Sequence, residues 1–122
     1  MSHLRKEKKM KKVKENFGTN KEYDCLEIEQ SDLSKNWSKN WDRYGFDDTC
    51  VICCKPCNHK AKTSYMVVGV CGHHNTWLHP KHDADEVATV DAGFMGVTYI
   101  GSDCYSKLPK EFKEYVIKKV AQ

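Results

Sequence analysis

The sequence lacks any long apolar segment. No hydrophobic run among its 122 residues approaches the ~18 residues that a membrane-spanning helix needs. The first residues are basic, but no apolar stretch follows them, so a secretory signal is not expected. These absences predict a cytoplasmic protein with no membrane contact. In that reducing compartment, clustered cysteines serve as metal ligands more often than as disulfides.

The sequence is also short of material for a core. Only 39% of the residues are hydrophobic, whereas 30% are charged. Small domains with so little to bury often gain stability from a metal ion or from disulfides. The seven cysteines are an odd number, which suits complete disulfide pairing poorly. We therefore expect a single domain held by a metal, with disulfides as the alternative.

The basic residues are concentrated at the N-terminus. Residues 1–14 carry seven lysines and arginines against Glu7, a net charge of +6, which leaves −3 for the rest of the chain. Few apolar residues occur in residues 1–22, so we predict a disordered basic arm there and one folded domain over residues 23–122. Lysines can neutralise phosphates, which makes nucleic-acid binding by the arm an alternative role. No aromatic side chains interleave residues 1–14 for base stacking, which weakens that alternative.

The pattern after residue 34 predicts an α+β fold. Trp37, Trp41 and Tyr44 have the spacing of one helical face, which we expect to pack on the metal-binding part. Residues 63–71, 76–79 and 94–100 are typical of three antiparallel strands, with a turn at 72–75 and an acidic loop over 80–93. An amphipathic stripe near the C-terminus predicts a closing helix. Its members are Leu108, Phe112, Tyr115, Val116 and Val120.

Four cysteines lie within eight residues and form two overlapping C-x2-C pairs, Cys50/Cys53 and Cys54/Cys57. Two thiolates at this spacing in a tight turn can bind one zinc ion, while amides of the turn donate to the sulfurs. We prefer Cys50/Cys53, because Cys54 then occupies the position where such a knuckle commonly has glycine. Cys54 and Cys57 would be spare thiols or ligands of a second ion.

The other half of the site is expected at a helix start. Cys104 follows a glycine and a capping serine, and a helix N-terminus favours a thiolate. The residue three positions later is Lys107, which cannot bind a metal at neutral pH. His79, which ends a strand before Pro80, is our first choice for the fourth ligand. The other candidates are His59, His73, His74, Asp103, Cys57 and Cys71.

The order of these features resembles a known group. A cysteine knuckle, a strand pair and a ligand on a helix follow the logic of a treble-clef zinc finger. With the Leu78-His79-Pro80 and Gly93-Phe94-Met95-Gly96 segments, residues 49–109 resemble small zinc-finger-like proteins encoded by bacteriophages. The resemblance implies a zinc-stabilised α+β module and a phage-like origin, and it implies no reaction. The chain departs from that group at Cys54 and Cys57, where glycine and an aliphatic residue are usual.

The functional expectation is a non-enzymatic protein that contains zinc and binds a protein partner. For a phage protein, this partner would be a host protein, in a host-takeover or anti-defence role. The alternatives are nucleic-acid binding through the arm and a metal-dependent nuclease of the HNH type. His73, His74, His79 and Asp83 offer residue types that a nuclease needs. A deaminase is disfavoured because the histidines follow the cysteine pair. The sequence leaves the oligomeric state open.

Overall fold

An eight-residue strand, β3 (Thr63–Val70), lies in the middle of an antiparallel sheet. The computed structural model describes residues 10–45, 48–57, 62–71 and 73–120. The other strands are β1 (Lys11–Glu15), β2 (Tyr23–Glu27), β4 (His73–Leu78), β5 (Gly96–Ile100) and β6 (Ile117–Val120). The helices are α1 (Trp37–Tyr44), α2 (Ala84–Val90) and α3 (Ser102–Ser106), with 3-10 turns at Gln30–Asp32 and Lys110–Tyr115.

The strand order is β1-β2-β4-β3-β5, and β6 also pairs with β3. β5 lies along one edge of β3, while β4 and β6 share the other edge, one after the other. The prediction of an α+β protein with an antiparallel sheet is therefore confirmed. The sheet has six strands rather than the three that were expected.

Alternation along the strands gives the sheet two buried faces. Val67 and Trp77 face the cysteine knuckle and α3, while their neighbours Val68 and Leu78 face the opposite side. All four side chains are nearly inaccessible to solvent. The second face is covered by α2, whose Val87 is fully buried. The second half of β3 is apolar on both faces, because its side chains alternate between the two cores.

The prediction of a disordered arm over residues 1–22 is wrong from Lys11 onward, because β1 pairs with β2 across its whole length. The pattern Lys-Lys-Val-Lys-Glu places Val13 toward the second core, opposite Cys25. The lysines find acidic partners from other strands and turns. The ion pairs are Lys11–Glu27, Lys12–Glu114 and Lys14–Asp24. Residues 1–9 of the predicted arm lie outside the described residues.

The predicted C-terminal helix is replaced by the 3-10 turn Lys110–Tyr115 followed by β6. Tyr115 and Val116 are buried as expected, but Val120 is more than half exposed. The apolar residues of the predicted stripe are spaced by three and four positions, and this spacing also fits a 3-10 turn that leads into a strand. The β-branched Ile117 and Val120 are well suited to pairing with β3.

Two further helices test the expectations for the middle of the chain. α1 forms as predicted and ends at Gly45, whose positive φ of 76° suits glycine. Its buried residue is Asn40 and not the aromatic stripe, since Trp41 and Tyr44 are exposed. The predicted acidic loop contains α2, which begins after Asp83 because that carboxylate accepts from a backbone N–H of the first turn. None of the helices in the described parts of the chain is long and apolar enough to cross a bilayer.

Candidate metal centre

Residues 48–57 fold back on themselves in a tight turn that presents cysteine thiols. The Cys54 N–H donates to the Cys50 carbonyl (2.7 Å), and the Cys50 N–H donates to the Lys55 carbonyl (2.8 Å). Thr49 and Pro56 then pair as an antiparallel bridge. Cys54 has a φ of 63°, in the left-handed region that favours glycine. This is the position where the sequence pattern of a knuckle leads one to expect glycine.

The turn is attached to the sheet through β5. Cys50 forms a parallel bridge with Tyr99, and the Val51 N–H donates to the Tyr99 carbonyl at 2.9 Å. β5 leads directly into α3, so this attachment places the start of α3 beside the turn. A Cβ built on Gly101 would lie 3.7 Å from the Cys50 sulfur, which shows how closely the two segments approach.

The result is a cluster of three thiols from two distant segments. The sulfur atoms of Cys50, Cys53 and Cys104 all lie within 4.8 Å of one another. Cys50 is buried, whereas Cys53 and Cys104 are half-buried. The Cys50/Cys53 pair and the helix-borne Cys104, three of the four predicted ligands, are thus brought together. A group of this kind could hold a metal ion.

Backbone amides point at two of the sulfurs. The Ile52 N–H donates to the Cys50 sulfur at 3.4 Å, and the Gly101 backbone donates to the same sulfur. The Lys55 backbone donates to Cys53. Hydrogen bonds to a charged sulfur stabilise the thiolate, which is the form that binds metals.

The thiols also set one another's pKa. Hydrogen bonds from Cys104, Cys53 and Cys57 lower the pKa of Cys50, because each favours a thiolate there. The same contact with Cys50 raises the pKa of Cys104 and of Cys57. For Cys53, the contact with Cys104 lowers the pKa, but the contact with Cys50 and burial raise it more. The pKa is thus lowered at Cys50 and raised at its neighbours, and a divalent cation would favour ionisation of the thiols that bind it.

Two cavities adjoin the cluster and bring positive charge to it. One, of about 230 Å³, is lined by the thiols and by Lys55. A neighbouring cavity of about 410 Å³ shares Cys53, Cys104 and Lys55 with the first and adds Lys35 and Lys107. These lysines would offset the negative charge of thiolates bound to a cation.

His79 lies outside the cluster, which corrects its ranking as the fourth ligand. Its ring packs edge-on to Tyr115 at 4.9 Å, and its Nδ1 accepts from the Lys81 N–H at 3.0 Å. Its Nε2 lies 3.9 Å from a carboxylate oxygen of Glu114. The physical reason is topological: His79 follows β4, which lies on the edge of β3 opposite to β5 and the knuckle. Burial lowers the pKa of this histidine.

The remaining candidates are distributed around the molecule. Cys71 packs with Cys25 on the second face of the sheet, away from the knuckle face. Asp103 lines both cavities beside Cys104. His59 and the side chains of His73 and His74 lie outside the described residues.

Cys57, which the sequence leaves open as a spare thiol or a ligand, lies beside the cluster. It lines the same cavity as the three clustered thiols. The available signal was the second C-x2-C pair, which overlaps the first. In that pair Cys57 lines the cavity beside the cluster, whereas the Cys54 thiol is directed toward the Gly45 carbonyl and Thr49.

Fold and site together define an α+β protein with an antiparallel sheet and a three-cysteine group that could hold a metal ion. Comparison with protein-family models, with curated proteins and with solved structures finds no match to this chain.

Proposed function

We propose that this protein is a non-enzymatic binding module stabilised by zinc, with a treble-clef-like arrangement of its ligands. The observation that carries the proposal is the approach of Cys50, Cys53 and Cys104 to within 4.8 Å of one another. Two of these thiols come from the knuckle and one from α3, so an ion bound among them would join segments far apart in sequence. Structural zinc sites stabilise small folds in this way.

The donor set supports zinc as the metal. Thiolate sulfur is a soft ligand that favours zinc, copper(I) and iron–sulfur chemistry over magnesium or calcium. Thiolate-rich zinc sites are commonly structural and tetrahedral, without an open position for a reacting water. The role of the ion would then be to hold the knuckle against α3 and β5.

An exposed apolar surface supports a protein partner. Trp41 is 39% exposed, Tyr44 41%, Met95 57% and Val97 58%. Met95 and Val97 also line a cavity of about 190 Å³ together with Trp37, whose ring lies 4.9 Å from that of Trp41. Apolar side chains exposed as a group often mark a protein interface, and aromatic residues and methionine are enriched at such interfaces. We call these four exposed residues the apolar patch.

The metal part of the proposal is tested by elemental analysis of the purified full chain and by chelation. We expect at least one zinc per chain and loss of the folded signal in circular dichroism when a strong chelator removes it. A chain with far less than one zinc per molecule, or one whose folding is unchanged by chelation, would contradict the proposal.

The partner part is tested by affinity capture from the natural host with the wild-type chain and two variants. Replacing Trp41 and Met95 by serine should abolish capture of the specific partner. Val120→Ser is the matched control, because Val120 is 53% exposed but lies in β6 and outside the apolar patch. Equal capture by all three chains would exclude the apolar patch as the interface.

The wider biological setting is part of the same proposal. A phage-encoded protein acting on a host protein in the host cytoplasm, in host takeover or anti-defence, fits a small module that acts by binding. Nucleic-acid binding loses part of its support, because Lys11, Lys12 and Lys14 are all paired with carboxylates. The metal-dependent nuclease stays an alternative that loss of DNA cleavage in His74→Ala would favour.

A further inference from the structure

We propose that Cys57 is the fourth ligand of the metal centre, which makes it a four-thiolate site for one soft tetrahedral dication. This inference rests on the proposed function, because it assumes that Cys50, Cys53 and Cys104 bind a metal. The second cysteine pair, Cys54/Cys57, then has one member in the site, Cys57, and one outside it, Cys54.

The backbone positions Cys57 beside Cys50. The bridge between Thr49 and Pro56 holds the two arms of the turn together, and the Cys57 N–H donates to the Asp48 carbonyl at 2.8 Å. Cys57 therefore leaves the turn next to the residue where Cys50 enters it. The cavity that Cys57 lines is also lined by Cys50, Cys53 and Cys104.

Burial and cavity lining place Cys57 on the same side as the cluster. It is half-buried, packs against the same core and lines the 230 Å³ cavity together with the three clustered thiols. Its sulfur is not within 4.8 Å of all three others, and it lies 3.9 Å from the Lys55 carbonyl. A side-chain rotation toward the other sulfurs would complete the tetrahedron that zinc prefers.

Among the side chains that the structure describes, the competing ligands are less well placed. Cys54 is buried at 1% exposure, and its sulfur lies 3.4 Å from the Gly45 carbonyl and 3.7 Å from the Thr49 hydroxyl, away from the cluster. His79 is engaged with Lys81 and Tyr115 and does not line the cavity. Asp103 lines the cavity, but its carboxylate is a harder donor than a thiolate and matches the other three ligands less well.

One dication binds four thiolates and forms four metal–sulfur bonds, and each thiol that carried a proton releases it to the buffer. The product carries two negative charges. Lys55, which lines the cavity with the four thiols, and Lys35 and Lys107, which line the neighbouring one, provide nearby positive charge.

Cobalt(II) titration of the full chain tests the assignment, because sulfur-to-cobalt charge transfer reports the number of thiolates bound. Wild type should bind one Co²⁺ with tetrahedral absorption bands. In Cys57→Ala, the charge-transfer absorbance should fall by about one quarter, and binding should release about one proton fewer. Cys71→Ala is the matched control, a half-buried cysteine on the other sheet face, and it should give the wild-type spectrum.

The outcomes separate the two proposals. Failure of wild type to bind Co²⁺ would overturn the metal centre itself and Cys57 with it. Normal binding with unchanged absorbance in Cys57→Ala would overturn only the assignment of Cys57. If Cys57→Ala does not fold, alkylation of wild type followed by mass spectrometry decides. Zinc should protect Cys57 as strongly as Cys53, and rapid labelling of Cys57 in the zinc-loaded chain would refute the assignment.

Discussion

The two faces of the sheet both carry cysteines, but the surroundings of the sulfurs differ. On the knuckle face, thiols and backbone amides donate to Cys50 and lower its pKa. On the opposite face, burial raises the pKa of Cys25 to about 12 and that of Cys71 to about 11. The first environment favours a thiolate ready to bind a cation, and the second keeps the thiol neutral and apolar. The comparison separates Cys50, on which several donors converge, from Cys25 and Cys71, whose pKa is set mainly by burial.

The largest expected difference between the faces is in stability after loss of one thiol. Cys104→Ser should abolish stoichiometric zinc and unfold the chain at ambient temperature, because structural zinc contributes on the order of 10 kcal/mol to folding in small fingers. Cys71→Ser should keep the zinc and most of the stability. Thermal melts and metal analysis of the two variants make the comparison. Similar melting curves and zinc contents would remove the distinction between the faces.

Substitution of Cys25, on the second face of the sheet, should have a smaller effect on stability than loss of Cys104. The Cys25 side chain is fully buried between Val13 of β1 and Leu78 of β4. Cys25→Ser should lower the free energy of unfolding by about 1–3 kcal/mol, because a hydroxyl is placed in an apolar core. Its zinc content should be that of wild type. Urea unfolding with metal analysis checks both values, and loss of zinc in folded Cys25→Ser would contradict the separation of the faces.

A polar contact on the knuckle face has a smaller expected effect. The Asn40 side-chain amide donates to the Cys53 carbonyl at 2.8 Å and so connects α1 to the turn. Asn40→Ala should lower the free energy of unfolding by about 1 kcal/mol through loss of this bond. Lys39→Ala, at an exposed neighbouring position, should have little effect. Equal stability of the two variants in urea would show that the contact is not stabilising.

Asp24 contributes to stability through ion pairs with lysines, unlike the cysteines of the two faces. Hydrogen bonds from Lys14 and Lys81 lower its pKa from 3.8 to about 2. Its stabilising contribution is therefore full above about pH 4 and is lost as the pH falls through about 2. Both lysines are largely exposed, so we expect only about 1 kcal/mol. Asp24→Asn should remove this increment at pH 7 and flatten the stability profile between pH 4 and 2. An unchanged profile would contradict the expectation.

Local patterns predicted the parts of the fold that depend on local chemistry. The C-x2-C spacing of Cys50 and Cys53 specifies a tight turn, and glycine and serine before Cys104 indicate a helix start, so the three cysteines that come together were predicted from the sequence. The apolar, β-branched residues of β3 identified the central strand. These signals hold because each is set by residues within one turn or one strand.

The incorrect predictions concern segments whose structure depends on residues far away in the sequence. β1 has only Val13 as an inward apolar residue, and the acids that pair with its lysines come from β2 and Lys110–Tyr115. The spacing of the apolar residues around β6 suits both a helix and a strand. Pairing with the edge of β3 decides in favour of the strand. The position of His79 depends on which edge of β3 receives β4, which no local pattern encodes.

The most direct test is nuclear magnetic resonance of the full chain loaded with ¹¹³Cd, which substitutes for zinc at thiolate sites. Scalar correlations from the metal to cysteine Hβ protons identify the ligands by residue. The account predicts one cadmium resonance correlated with Cys50, Cys53 and Cys104, and with Cys57 as the fourth. A resonance without a correlation to Cys104 would contradict the claim that one ion joins the knuckle to α3.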